Sequence, residues 1–135
     1  MIPNLAKEYL CDGSIDLDTH TFKVMLLDNT YTPSADHDLL AEVSGDEISG
    51  AGYDAGGKTL SGISWAASGG TATLDATDAQ WTSATFTARY AVIYDDTQTS
   101  PLKPILRIID FGSDQSVNNG TFTIQWNASG ILTLN

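Results

Sequence analysis

The chain has 135 residues, and its 6 Lys and Arg against 17 Asp and Glu give a net charge of -11 at pH 7. This charge argues against binding to nucleic acid or to an anionic membrane surface, because both depend on Lys and Arg facing phosphate groups. The lone cysteine, Cys11, excludes an intrachain disulfide, so folding must depend on a hydrophobic core. The length predicts one domain over residues 1–135.

Residues 1–20 are predicted to form an N-terminal arm ahead of the first strong strand. Asn4 is a candidate cap for a short helix over residues 5–10, and Gly13 follows its end. A helix of this length is not stable alone, so its apolar side chains must bury against another surface. That surface is either a neighbouring subunit or the open end of the chain's own sandwich. The side chains concerned are Ile2, Leu5, Tyr9 and Leu10.

Short apolar segments separated by turn residues follow one another through residues 21–135. Strands are expected at residues 21–27, 58–65, 71–74, 81–95, 102–111, 121–126 and 131–134. A long surface loop is expected over residues 44–57, and a turn over residues 118–120. The pattern predicts an all-β fold, an antiparallel β-sandwich of jelly-roll or immunoglobulin type, over residues 21–135.

The clearest strand is the one that ends at Asp95, and it carries apolar residues on both faces. We therefore expect a central strand, covered on one side by the core and on the other by a partly buried layer. Arg89 is the exception and needs a carboxylate partner, for which Asp110 is the first candidate and Asp78 the second. The alternation predicts that one face carries Phe86, Ala88, Tyr90, Val92 and Tyr94.

The three tryptophans are candidates for the core or for a sugar-binding surface. Trp65 and Trp126 lie in alternating strands, so core packing is the favoured interpretation for both. Residues expected to be buried together are Tyr90, Val92, Phe122, Ile124 and Trp126.

A phosphate-loop pattern, G-x-x-x-x-G-K-[ST], is matched by residues 52–59. Such a loop binds phosphate only between a buried strand and the N-terminus of a helix. Here a Gly, Ser and acidic loop precedes the pattern and an alternating strand follows it. A glycine-rich surface loop is the better interpretation, and no nucleotide cofactor is expected.

No catalytic or metal-binding pattern is convincing. Asp110-Phe111-Gly112 spells the kinase metal triplet, but the chain lacks a kinase's length and catalytic loop. His20 and His37 do not have zinc-ligand spacing, and the aspartate clusters do not fit a calcium loop. We therefore expect no enzyme activity, no metal and no cofactor.

Motifs in a specific order along the chain match a known family. They are Phe22-Lys23-Val24-Met25-Leu26-Leu27, Tyr31-Thr32-Pro33, His37, Gly52-Tyr53, Gly56-Gly57, Trp81, Thr87-Ala88-Arg89-Tyr90-Ala91-Val92, Asp110-Phe111-Gly112 and Gly120-Thr121-Phe122-Thr123-Ile124-Gln125-Trp126. Together they resemble a family of short β-rich proteins encoded among the virion genes of tailed bacteriophages. The resemblance covers nearly the whole chain from about Thr21. It implies a component of a phage particle and brings no catalytic residues with it.

The resemblance leads us to expect a capsid decoration (cement) protein, made in the bacterial cytoplasm and located in the virion. Its expected partners are the major capsid protein and copies of itself, as a homo-oligomer on the particle, with no nucleic acid and no membrane. The alternatives are a tail, neck or fibre component, or a host-surface binding module. Residues proposed for the interface are those of the arm, Ile2, Leu5, Tyr9 and Leu10, together with Tyr31 and Tyr53 in the loops.

Overall fold

Two antiparallel β-sheets and one short N-terminal helix make up the computed structural model, which describes all 135 residues. The elements are α1 (Asn4–Cys11), β1 (Phe22–Leu27), β2 (Lys58–Thr59), β3 (Ser64–Ser68), β4 (Thr71–Asp75), β5 (Ala79–Asp95), β6 (Ile105–Ile124) and β7 (Leu132–Leu134). Two short 3-10 turns, Leu40–Glu42 and Ser44–Asp46, lie between β1 and β2. One sheet has the order β2-β1-β5-β6 and the other β3-β4-β7. The predicted class, an all-β antiparallel sandwich with a short N-terminal helix, is confirmed.

In the central strand β5, the alternation of side chains between the two faces of the sheet is interrupted at Arg89. Ala88 pairs with Gln115 of β6, whereas Tyr90 pairs with Asp110, so the register shifts between the two pairs. A β-bulge of this kind adds residues on one strand and alters the alternation beyond it. The prediction that one face carries all five alternating residues is therefore wrong. Phe86 and Ala88 pack in the main core, while Tyr90, Val92 and Tyr94 pack on the opposite face.

Both faces of the four-stranded sheet are covered, as expected for a central strand. The main core lies between the two sheets and contains Val24, Leu26, Trp81, Phe86 and Phe122, among others. The second core lies on the other face, where the segment after β1 packs over the sheet. It contains Met25, Leu27, Tyr31, Val43, Tyr90, Val92, Tyr94, Ile105 and Ile108.

Trp126 was expected to be buried with Tyr90 and Val92, and this prediction is wrong. Phe122 and Ile124 belong to the main core, whereas Tyr90 and Val92 belong to the second one. Trp126 is only partly buried against the main core, where its indole N–H donates to the Thr77 carbonyl at 3.0 Å. The two cores lie on opposite faces of one sheet, so these residues cannot meet.

Strand β6 runs without interruption through the turn predicted at residues 118–120. Asn119 has a positive φ of 48°, and its backbone N–H donates to Thr85 Oγ1 of β5 at 2.9 Å. Asn adopts this conformation more readily than most residues, which is why the segment resembles a turn in the sequence. In the structure it is a bulge within the β5–β6 ladder. The single strand predicted over residues 58–65 is instead divided between β2 and β3, which lie in different sheets.

The N-terminal arm packs onto its own domain. Met1 and Ile108 exchange backbone hydrogen bonds of 2.7 and 2.8 Å, so the arm covers part of the edge of β6. Ala6 is fully buried. The helix cap is Pro3 rather than Asn4, whose side-chain Nδ2 donates instead to Asp36 Oδ1 at 2.7 Å. None of the helices combines the length and hydropathy required to span a membrane.

Candidate functional site

The three-stranded sheet carries apolar side chains along one face. Trp65 pairs with Leu74, which pairs with Leu132, and cross-strand partners point to the same side. Ala67, Ala72 and Leu134 form the next row in the same way. The opposite face carries mainly polar residues, namely Ser64, Ala66, Ser68, Thr71, Thr73, Asp75 and Thr133. The apolar face is therefore the one that would be buried in a complete sandwich.

Only part of this apolar face is covered by the main core. Leu74 and Leu132 are buried, whereas Trp65 is 48% exposed and Leu134 is 39% exposed. All five residues of β3 are exposed. Beside Trp65 lies a groove of about 90 Å³, lined by Leu17, Trp65, Ala72, Thr73, Leu74, Leu132 and Leu134. We define the Trp65 surface as the exposed residues Trp65, Ala67, Ala72 and Leu134 together with the partly buried Leu17.

The rim of the Trp65 surface is acidic on the side of the N-terminal segment. A second depression there, of about 370 Å³, is lined by Leu10, Gly13, Ile15, Asp16, Leu17, Asp18 and Trp65. Hydrogen bonds from the Thr19 hydroxyl at 2.8 Å and the Asp18 backbone N–H at 2.9 Å lower the pKa of Asp16. The Asp16 carboxylate is thus held ionised and in a fixed position beside the apolar side chains.

The two loop tyrosines predicted for the interface are buried instead. Tyr31 is 3% exposed, and its hydroxyl lies 2.9 Å from His37 Nδ1. Tyr53 is 9% exposed, and its hydroxyl accepts from Leu26 N at 3.0 Å and donates to Glu47 Oε1 at 2.9 Å. Burial raises the pKa of both phenols. The prediction that they form an exposed binding surface is wrong, because each closes a loop onto the sheet.

The arm residues predicted for the interface are mostly occupied by contacts within the chain. Ile2, Tyr9 and Leu10 pack partly buried against the main core. Leu5 is 38% exposed and is the most accessible of the four. Leu10 also lines the acidic depression next to Trp65. The arm therefore contributes to the rim of the Trp65 surface and is not a free docking segment.

Arg89 and Asp110 form an ion pair at the bulge of the central strand. Arg89 Nε donates to Asp110 Oδ1 at 3.0 Å, and the Gly112 backbone N–H donates to the same oxygen at 2.7 Å. The Gly112 hydrogen bond and then Arg89 lower the pKa of Asp110. The Asp110 side chain is half exposed, so the pair lies at the surface and not in a buried layer.

The glycine-rich loop is explained by packing. A Cβ at Gly57 would lie 1.9 Å from the Val24 carbonyl oxygen, so the loop can approach β1 only with glycine there. The next residues, Lys58–Thr59, form β2 and not the first turn of a helix. Lys58 Nζ lies 5.7 Å from the centroid of the Trp81 ring.

His20, which carried no predicted role, contacts a buried carboxylate. Its Nδ1 lies 2.5 Å from Oδ2 of Asp95, which has no exposed surface. The other carboxylate oxygen of Asp95 accepts from the backbone N–H groups of Thr97 and Gln98. These contacts fix the end of β5 and the turn after it. No signal in the sequence pairs two residues so far apart.

No group of three or more His, Cys, Asp or Glu side chains is placed to hold a metal ion. Comparisons with protein-family models, with curated proteins and with solved structures gave no match.

The Trp65 surface was not predicted from the sequence, because Trp65 alternates like a core residue. The one available signal is that its neighbours, Ala66, Ala67 and Ala72, are too small to fill a second layer of core.

Proposed function

We propose that the chain is a non-enzymatic structural protein of a tailed-phage particle, a capsid decoration (cement) protein that docks through the Trp65 surface. The observation that carries this proposal is an uncovered apolar sheet face, centred on Trp65, on a chain with a net charge of -11. The assignment to a phage particle is supported by the family resemblance of the sequence motifs.

Several properties of the Trp65 surface favour a protein partner. Apolar surface rimmed by polar residues is typical of interaction sites, and tryptophan is enriched among the residues that dominate binding energy. The surface is small, so one contact would be modest in affinity. On a shell, the same contact repeats at every equivalent site, and linked copies gain affinity through effective concentration.

The occupant we propose is the major capsid protein and not a second copy of this chain through the same surface. Two copies would bring together net charges of -11 and the carboxylates of Asp16 and Asp18 that flank Trp65. Like charges at an interface oppose association. A shell subunit that presents an apolar side chain with Lys or Arg around it would complement both features. Copies of this chain would then be arranged by the shell lattice.

The experiment is cryo-electron microscopy of purified virions of the phage that encodes the chain, combined with add-back to particles that lack it. We expect density for many copies on the outer face of the head, with Trp65 at the contact. Absence from virions would refute the function, and density restricted to the tail or neck would refute the decoration role.

A pair of surface variants tests the docking surface. Trp65→Ser should abolish add-back binding, whereas Leu102→Ser, at an apolar residue 55% exposed elsewhere, should bind as the wild type does. Both variants should melt close to the wild-type temperature, because exposed side chains contribute little to stability. Wild-type binding by Trp65→Ser would refute this surface while leaving the location in the virion standing.

A further inference from the structure

A second groove lies between the first part of β6 and the segment that leads to β7. Its volume is about 210 Å³, and its apolar walls are formed by Ile109, Phe111, Trp126 and Ile131. The guanidinium-bearing side chain of Arg107 lies at the same groove. The groove is separate from the Trp65 surface, whose lining residues it does not share. We call it the Arg107 groove.

Arg107 has unused hydrogen-bonding capacity and no charge partner. One Nη donates to the Ile131 carbonyl oxygen, and the buried Nε has no hydrogen-bond partner. Arg107 forms no salt bridge, whereas Arg89 pairs with Asp110, and Lys23 and Lys103 both pair with Asp96. A guanidinium carries five N–H donors, and leaving them unsatisfied costs free energy. An unpaired arginine beside apolar walls is unusual in a chain with 17 acidic residues.

We propose that the Arg107 groove binds a carboxylate carried on an aromatic or aliphatic group. The guanidinium would pair with the carboxylate, since its planar fork matches the two carboxylate oxygens. Phe111 and Trp126 would pack against the apolar part of the ligand. This proposal does not depend on the particle role of the chain.

The size and charge of the groove define the ligand further. Water occupies about 30 Å³ per molecule, so a groove of about 210 Å³ has room for an aromatic side chain with its carboxylate. Arg107 is the one cationic residue in the lining of the groove, and a single guanidinium favours a single negative charge over a dianionic phosphate. The carboxylate could belong to a free organic acid or to the C-terminal residue of a polypeptide.

The test uses N-acetylphenylalanine and its amide, which differ only in the carboxylate. Binding would be followed by Trp fluorescence and by amide chemical shifts. We expect the acid to bind at least about tenfold more tightly than the amide, with shifts centred on Arg107, Phe111 and Trp126. Equal binding of acid and amide, shifts elsewhere, or no saturable binding below about 10 mM would overturn the proposal.

A pair of arginine variants tests whether the probes bind in the Arg107 groove. Arg107→Gln should lose the preference for the acid, whereas Arg89→Gln, which removes the other arginine, should keep it. Melting curves show whether Arg107→Gln is folded; if it is not, Trp126→Ala replaces it and should weaken binding of both probes. Retention of wild-type binding by the folded groove variant would refute the site.

A further experiment with two peptides distinguishes between the two sources of the carboxylate. A tetrapeptide that ends in phenylalanine would be compared in its free-acid and C-terminally amidated forms. Tighter binding of the peptide acid than of N-acetylphenylalanine indicates a polypeptide C-terminus. Weaker binding indicates a free organic acid, and both results support a carboxylate site.

Discussion

Phe111 and Phe122 lie on the same strand, β6, and their ring centroids are 6.2 Å apart. An extended strand rises about 3.3 Å per residue, so residues at these positions would be roughly 36 Å apart on a straight strand. Strand β6 is therefore strongly bent. Register shifts in its pairing with β5 supply the bend, at the bulge near Arg89 and again near Ala84.

Because of the bend, the ribbon formed by β5 and β6 brings residues that are distant along β6 together at the main core. Phe122 contacts Phe86 with ring centroids 5.0 Å apart and Trp81 at 5.9 Å, so residues from the first half of β5 and from both halves of β6 form one aromatic cluster. Sandwiches turn corners in this way, with bulged strands that pass from one layer to the next. The bend also brings Phe111 and Ile124, which are distant along β6, into the lining of the Arg107 groove.

Two glycines with the same backbone conformation should respond differently to alanine. Gly57 and Gly70 both have a φ of +83°, but a Cβ at Gly57 would overlap the Val24 carbonyl oxygen, whereas nothing lies within 4 Å at Gly70. Gly70→Ala should cost only the left-handed backbone strain, about 1–2 kcal/mol. Gly57→Ala should cost about 1–3 kcal/mol more, because the loop must move away from β1.

Urea denaturation of the wild type and both variants measures this difference. Gly70→Ala is the control, because it carries the same backbone strain without the steric overlap. Equal losses in the two variants would mean that the glycine-rich loop does not pack against β1 as described.

The Arg89–Asp110 pair should contribute to stability in a pH-dependent way. The pKa of Asp110 is lowered in the folded chain, chiefly by the Gly112 N–H and then by Arg89. A carboxyl group whose pKa is lowered on folding stabilises the fold above its ordinary pKa of about 4, and this contribution is lost as the pH falls through the lowered pKa. Asp110→Asn should therefore reduce the free energy of unfolding at about pH 7 and have little effect at about pH 2.

The control is Asp54→Asn, which makes the same change in net charge at an exposed residue without a side-chain hydrogen bond. A double-mutant cycle with Arg89→Gln should give a favourable coupling energy that decreases with added salt, since the pair is solvent-accessible. Strict additivity of the two substitutions at low salt would exclude an energetic interaction between Arg89 and Asp110.

The fold class could be predicted because alternation and turn residues act over a few positions at a time. The strand β1 was predicted to within one residue, and the covering of β5 on both faces followed from apolar residues on both sides. The sequence could not predict which face of the sheet each β5 residue after Ala88 occupies. That depends on the bulge, and the bulge depends on how many residues of β6 lie opposite this part of β5. For the same reason Asn119 was interpreted as part of a turn.

The interface residues were harder to predict from the sequence. Tyr31 and Tyr53 lie in segments with turn residues, which usually indicates exposure, but each phenol is used to close its loop. Trp65 has the alternation of a core residue, but nearly half of its surface is left exposed. Burial in both cases is decided by contacts between segments far apart in the sequence.

Deleting residues 1–10 should lower the stability of the isolated domain sharply. The deletion removes the buried Ala6, the side chains of Ile2, Tyr9 and Leu10 that pack on the main core, and the backbone hydrogen bonds between Met1 and Ile108. Burying one large apolar side chain contributes about 1.5–3 kcal/mol, so a loss of at least about 3 kcal/mol is expected. It would also expose backbone groups of the β6 edge, which favours aggregation through strand pairing.

Thermal and urea denaturation of the truncated chain measure the loss of stability. Two point variants compare an arm side chain that packs on the core with one that is exposed. Tyr9→Ala should reduce the melting temperature clearly, because its ring packs on the main core, whereas Leu5→Ala should change it little, because Leu5 is 38% exposed. If the truncated chain melts like the full chain and instead fails to bind particles, the arm serves a neighbouring subunit. In that case the packing of the arm on its own domain contributes no stability, and the Trp65 surface would not be the main docking contact.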